Sequence, residues 1–263
     1  MFKKTSTAGI EYFTSSILQC PSLAHAFSTR IGGNTPKPLD TFSMGDGGSG
    51  LFTEYIEANR QKLCEILELD YKKLLVPQQK HTSNIAVVKS QKEVDLSQTD
   101  GVITNQVDLP IMLLFADCTP IVLYSEQDKV LGVIHAGWRG TADKICKKAV
   151  DIFVKEFGVL PSNIKAAIGP AIGQCCYPVS EEVALKLKNS VENNYDNIFK
   201  SNNEIDKIKV DLKQLNAMQL KEAGVVNIDI MGYCTSCQNS LFYSYRSDNG
   251  KTGRHCVLAS IKD

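Results

Sequence analysis

No stretch of the sequence is apolar for long enough to cross a bilayer, which takes about 20 consecutive apolar residues. The first residues, MFKKTSTAGIEYFTSSILQC, hold two lysines but no sustained apolar segment of the kind a secretory signal needs. A cytoplasmic location with no membrane partner is therefore expected. An excess of charge of either sign is also missing, because 29 basic side chains balance 29 acidic ones. Nucleic-acid binding depends on clustered Lys and Arg that neutralise phosphates, so no nucleic-acid partner is expected. Repeats, heptads and low-complexity linkers are absent, which favours one domain over residues 1–263. Histidine is scarce at four, whereas cysteine is plentiful at nine. An odd number of cysteines without a secretory signal reads as reduced thiols, serving as small hydrophobes or as site residues.

Against that background, HAGWRGT from His135 stands out. The apolar run Val130–Ile134 predicts a buried strand, and an amphipathic pattern from Thr141 predicts a helix. His135 thus falls at a strand's carboxyl end, where α/β proteins collect ligands. Further strands are predicted over Leu23–Arg30, Leu74–Gln78, Ile85–Val88, Asp100–Asn105, along the apolar run IMLLFADC that Pro110 opens, and over Thr119–Tyr124, Ile164–Ile168 and Val225–Met231. Helices are predicted from a Thr53 cap to Leu69, from Ser180 to Asn189 and from Asp211 to Ala223. Residues 193–207 read as a polar surface excursion, and the carboxyl end as a hairpin turning at Ser247–Gly250. Strands interspersed with helices give a mixed α/β or α+β class.

His81, between two strands, is by itself either a surface residue or a ligand. Cys118 is either an inert core thiol or a site residue, but Asp117 beside it is costly to bury without a purpose. Together, His81, Cys118 and His135 make a conceivable open zinc site, since catalytic zinc commonly has three protein ligands and leaves a fourth position for water or substrate. Spacing alone does not bring them together. The lone CxxC of Cys234 and Cys237 lacks a second pair, and is assigned a structural role.

Seven motifs then carry a resemblance: STRIGG from Ser28, QKHTS around His81, TDGVITN from Thr99, ADCTPIVL from Ala116, GVIHAGWRGT from Gly132, AIGPAIGQCCYPV from Ala167 and SYRSDNGKTGR from Ser244. The chain resembles the laccase-domain family, also called YfiH-like or multicopper polyphenol oxidase-like. The resemblance spans nearly the whole length. It implies a layered sandwich of mixed sheets flanked by helices and a catalytic zinc on His81, Cys118 and His135, with Arg30 lining the pocket. The implied activity is that of a purine nucleoside phosphorylase that also deaminates adenosine, taking adenosine, inosine or methylthioadenosine with phosphate. Lys80 and Thr82 depart from the apolar residue and glycine usual beside this histidine, and Phe42-Ser43-Met44-Gly45 replaces an LNLG-like segment. Cys237 is not part of the family pattern.

Deamination needs a proton shuttle as well as a metal-bound hydroxide, and Asp117 could supply that shuttle or orient a ligand histidine. Phosphorolysis needs an anion pocket, for which Arg30, Arg139 and Arg246 are the available guanidiniums. Arg139 could equally form a structural ion pair, and Trp138 reads as packing. Copper is the rival metal, because two histidines and a cysteine also suit a blue-copper centre. Four histidines are too few for the histidine-rich trinuclear cluster that a multicopper oxidase adds. A metal-independent cysteine hydrolase using Cys118, and a partner protein in peptidoglycan quality control, are the remaining alternatives.

Overall fold

The computed structural model describes residues 1–90, 94–192, 197–202 and 207–263. In chain order the strands and helices begin with β1 (Phe2–Thr7), β2 (Ile10–Ser15), β3 (Leu23–Ser28), α1 (Thr53–Ile66), β4 (Ile85–Val88), β5 (Gly101–Thr104), β6 (Ile111–Phe115), β7 (Thr119–Ser125) and β8 (Val130–Ala136). They continue with α2 (Trp138–Ala142), α3 (Ile145–Phe157), β9 (Lys165–Ile168), β10 (Pro178–Val179), α4 (Glu181–Lys188), β11 (Phe199–Asn202), β12 (Lys207–Val210), α5 (Leu212–Glu222), β13 (Asn227–Ile230) and β14 (His255–Ile261).

Two sheets form the centre. One has the order β1-β2-β3-β14-β6 with antiparallel neighbours throughout, and the other the order β13-β9-β7-β8-β5-β4 with parallel pairs at both edges. Strands β7 and β8 are buried at every residue. They read as continuous apolar runs because both faces of their sheet are covered. One face packs on the five-stranded sheet through Phe27, Phe115, Val257, Val122 and Val133. The other carries α3 and α5 through Ile121, Ile134, Ala149, Phe153 and Leu220. On the far side of the five-stranded sheet, Leu63 and Cys64 of α1 pack with Met112 and Leu258. The result is the expected α+β sandwich of layers, with a small third sheet, β10-β12-β11, packed beside α4 and α5.

Four features differ from the sequence reading. The amino-terminal hairpin of β1 and β2 turns through Ala8 and Gly9, both at positive φ, and was invisible because the edge strand FKKTST is polar on its exposed positions. Leu74–Gln78 is not a strand: Leu75 makes one bridge to Ile111, and Gln78 donates its N–H to Leu96 instead. The helix expected from Thr141 starts earlier and is broken, since Lys144 at φ 59° separates α2 from α3. The carboxyl-terminal hairpin has only one strand. Residues 241–250 spend their backbone on local turns, such as Phe242 N–H to Gln238 and Gly250 N–H to Tyr245, while β14 inserts between β3 and β6. Of the polar excursion, residues 193–196 and 203–206 lie outside the described ones, and the remainder contributes β11 and Lys207 at the start of β12.

Candidate metal centre

The chain passes from one central sheet to the other through Ala116-Asp117-Cys118, between the end of β6 and the start of β7. Asp117 takes a positive φ of 88° to make that step. In the β7–β8 register Thr119 faces Ala136 and Pro120 faces His135, so Cys118 and Gly137 emerge together at the strand ends. His81 arrives from a loop before β4, itself at φ 59°. The three donor atoms all lie within 4.8 Å of one another, with His135 buried, Cys118 half-buried and His81 exposed. The two imidazoles meet edge to face, their ring centres 5.0 Å apart. Gly137 leaves the room for this: a Cβ there would stand 3.1 Å from His81 Cδ2 and 3.2 Å from Cys118 Sγ. Two nitrogens and a sulfur beside a space that Gly137 leaves clear fit a borderline transition metal with one face left free.

Asp100, at the entry to β5, organises two of the three donors. Its side chain is fully buried and accepts His135 Nδ1–H at 2.8 Å, leaving Nε2 as the nitrogen that ring could offer a metal. It also accepts the backbone N–H groups of Lys80, His81 and Thr82 at 3.2, 3.0 and 2.7 Å, and the Thr82 hydroxyl at 2.8 Å. The threonine that departs from the family's usual glycine therefore adds a donor to this carboxylate. Gln79 anchors the same loop to the other sheet by exchanging two 2.8 Å hydrogen bonds with the Leu114 backbone. The sequence presented Asp100 only as the first residue of a predicted strand. Its reach across the strands could not be read from spacing.

The electrostatics follow from this enclosure. Burial alone would raise the Cys118 thiol, but His135 and His81 beside it bring it down to about 6. Burial would likewise discharge His135, yet the Cys118 sulfur and the Asp100 carboxylate hold it up to about 9. Asp100 itself resists the upward push of burial, because His135 and Thr82 keep it well below the usual carboxylate range. The two histidines thus favour the thiolate form of Cys118, the form that binds a metal.

The other expected residues are distributed around this centre. Asp117 accepts the Thr235 hydroxyl at 2.6 Å and the Arg246 backbone N–H at 2.7 Å, so the carboxylate bonded to the His135 ring is that of Asp100 and not that of Asp117. Arg30 is half-buried against the Tyr243 ring, with its guanidinium donating to the carbonyls of Asp40 and Asn239. Arg139 is exposed and stacks 4.4 Å from the centre of the Trp138 ring, with no ion pair among the described residues. Arg246 is exposed over Tyr177 at 5.5 Å. Tyr177, not anticipated from the sequence, is held protonated well above its ordinary range by burial and by the nearby Cys118. Arg254 was also missed: its burial is opposed by the negative groups around it, Cys118 first among them. His25 accepts the Ser15 N–H at 2.9 Å, and His255 lies behind Phe115, which separates it from His135. The described residues hold no third histidine for the centre. Cys234 and Cys237 do have company, a second group formed with Cys175 and Cys176.

The profile of the family described as multi-copper polyphenol oxidoreductase laccase matches residues 24–262. The chain belongs to this family. Within this laccase-like family, a relative called purine nucleoside phosphorylase YlmD, from Bacillus subtilis, is 31% identical over 250 residues, covering 90% of this chain and 88% of the relative. A second relative, called adenosine deaminase RL5 and from an unknown prokaryotic organism, is 33% identical over 205 residues, covering 74% of this chain and 78% of its own length. The crystal structure of YlmD from Geobacillus stearothermophilus superposes with a TM-score of 0.91 at 29% identity, covering 98% of each chain. The fold is that of these laccase-like proteins.

Proposed function

We propose that the chain is a zinc-dependent purine nucleoside phosphorylase that releases the free base from adenosine, inosine or methylthioadenosine with phosphate, and that deaminates adenosine as a side activity. The observation that carries this reading is the open three-donor centre of His81, Cys118 and His135, with exposed guanidiniums beside it. The names of the relatives, purine nucleoside phosphorylase and adenosine deaminase, point the same way. A zinc ion on those donors would supply Lewis acidity and a water whose pKa lies near 7.

The remaining chemistry belongs to the chain. Asp100 fixes the ring of His135 and the loop of His81, so the donors keep their geometry as substrate enters. Arg139 and Arg246 present guanidiniums able to bind phosphate through paired hydrogen bonds. Tyr177, kept as a neutral phenol beside Arg246, offers a proton or a hydrogen bond to a purine ring atom. With its carboxylate held by Thr235 and Arg246, Asp117 shapes the approach to Cys118.

The test is incubation with inosine, adenosine and methylthioadenosine, with and without phosphate, followed by separation of free base from deaminated nucleoside. Phosphate-dependent release of base that Cys118→Ala loses is expected. Oxygen uptake with phenols on the copper-loaded protein, with no base released, would replace this reading by the oxidase one. Activity that survives chelation but not a thiol reagent would leave a cysteine hydrolase.

A further inference from the structure

Cys175 and Cys176 lie in the turn after β9, and Cys234 and Cys237 in the segment after β13, far apart in sequence. All four sulfurs nonetheless lie within 4.8 Å of one another. We propose that these four cysteines form a second, closed metal site that binds zinc in a structural role and ties the two segments together beside the open centre.

Three observations support the assignment. The first is the way the sulfurs are shared. Cys237 Sγ stands 3.5 Å from Cys175 Sγ and 3.4 Å from Cys176 Sγ. A zinc–sulfur distance of about 2.3 Å places tetrahedral sulfurs about 3.8 Å apart, close to this spacing. A disulfide would draw one pair to about 2.05 Å and leave the others aside, whereas here one sulfur is shared almost equally between two neighbours.

The second observation is a hydrogen bond suited to a thiolate. Gly173 N–H donates to Cys234 Sγ at 3.1 Å. Gly173 also keeps the space clear, since a Cβ there would lie 3.0 Å from Cys234 Cβ and 3.2 Å from Cys175 Sγ. N–H donation to a ligand sulfur is the outer-shell support that metal sites use to stabilise negative charge.

The third observation is a buried cation. Lys213 is 5% exposed and donates to the carbonyls of Met231 and Tyr233, both at 2.7 Å, immediately before Cys234. Among the described residues no carboxylate lies within ion-pair distance of it; Asp211 is the first negative group it feels from farther off, and the sulfurs of Cys234 and Cys175 come next. A buried ammonium needs counter-charge. A divalent ion on four thiolates carries a net charge of about −2, which supplies it. Binding releases the thiol protons to solvent.

The location gives the site a purpose. Thr235, inside the CTSC turn, donates to Asp117, the residue beside ligand Cys118, and its N–H bonds to the Ala171 carbonyl. Ile172 N–H in turn bonds to the Asp117 carbonyl at 2.9 Å. The segments joined by the four sulfurs thus hold both sides of the turn that delivers Cys118 and carry Tyr177.

Metal analysis of the purified protein tests this without reference to catalysis. Zinc content should fall by about one ion per chain in Cys234→Ser/Cys237→Ser and by about one in Cys118→Ser, each loss independent of the other. In the wild type, iodoacetamide should leave the exposed Cys175 and Cys237 unlabelled until a strong chelator is added, as followed by intact mass, and this measurement needs no variant to fold. An unchanged zinc content in the double variant would overturn the proposal. So would prompt labelling before chelation, or a wild-type mass lowered by the two hydrogens of a disulfide. Loss of nucleoside turnover with zinc content intact would refute the proposed function and leave this site standing.

Discussion

The chain gathers soft donors in two places and finishes them differently. Cys118 and His135 come from strand ends where two packed sheets meet and His81 from the loop before β4, and Asp100, buried at the entry to β5, holds both the His135 ring and the His81 loop. Cys175, Cys176, Cys234 and Cys237 come from two turns outside those sheets, and their outer support is a backbone N–H and a lysine. Three donors leave a face for chemistry, and four close it. The contrast teaches that a rigid sheet edge suits an unsaturated centre, which must keep its shape with a position open. A pair of turns gains its shape from the ion itself.

Removing a donor from each centre should separate the two most sharply. Cys118→Ala takes away one of three donors and with it several kcal/mol of electrostatic stabilisation, so kcat/KM should fall by about 10³-fold or more. Cys234→Ser should leave the open centre loaded and lower kcat/KM by no more than about tenfold, through the Thr235–Asp117 contact. Equal losses in the two variants would show that the four-cysteine group takes part in the chemistry.

Asp100→Asn probes the support of the open centre. The substitution keeps the size of the side chain but removes the charge that, after the Cys118 sulfur, holds His135 up and that gathers the amides of Lys80, His81 and Thr82. Zinc affinity, measured by competition with a chromophoric chelator, should weaken by about 10–100-fold while excess zinc restores most of the turnover. A wild-type affinity in Asp100→Asn would mean that the sheets alone position the donors.

What could be read from the sequence follows the same division. His135 was visible because it closes an apolar run and is followed by glycines, Cys118 because it falls where two apolar segments meet, and His81 through the motif that carries the resemblance. Asp100 was visible as the first residue of a strand but not as the partner of His135, because β5 pairs with β8 only in the folded sheet. That pairing also explains why the sequence offered Asp117, adjacent to Cys118, as a shuttle or an orienting group and did not offer Asp100. CxxC was noticed, but its partners are two adjacent cysteines that no spacing rule connects to it, so the second cluster exists only at the level of tertiary structure. Among the elements, the buried strands β7 and β8 were plain from their continuous apolar runs. Polar β1 was not, and the aromatic stretch from Phe242 resembled a strand although its side chains plug the core from a turn.

The smallest and most discriminating comparison uses the two glycines. Gly137 at φ −75° and Gly173 at φ −82° both have backbones that alanine adopts without strain, so each substitution adds only a methyl group. At Gly137 that methyl meets the His81 ring and the Cys118 sulfur, side-chain ends that can swing aside by a few tenths of an ångström. At Gly173 it meets Cys234 Cβ, which is fixed to the backbone. Overpacking of this kind costs about 1 kcal/mol or somewhat more, roughly a fivefold loss of zinc affinity at the affected centre. Gly137→Ala should therefore weaken the open centre, and Gly173→Ala the closed one by a slightly larger factor. Zinc titration of each variant, with the centres distinguished by thiol labelling, checks both. A Gly137→Ala protein whose four-cysteine group loses protection would mean that the two centres are one coupled unit, joined through Thr235, Asp117 and Ile172.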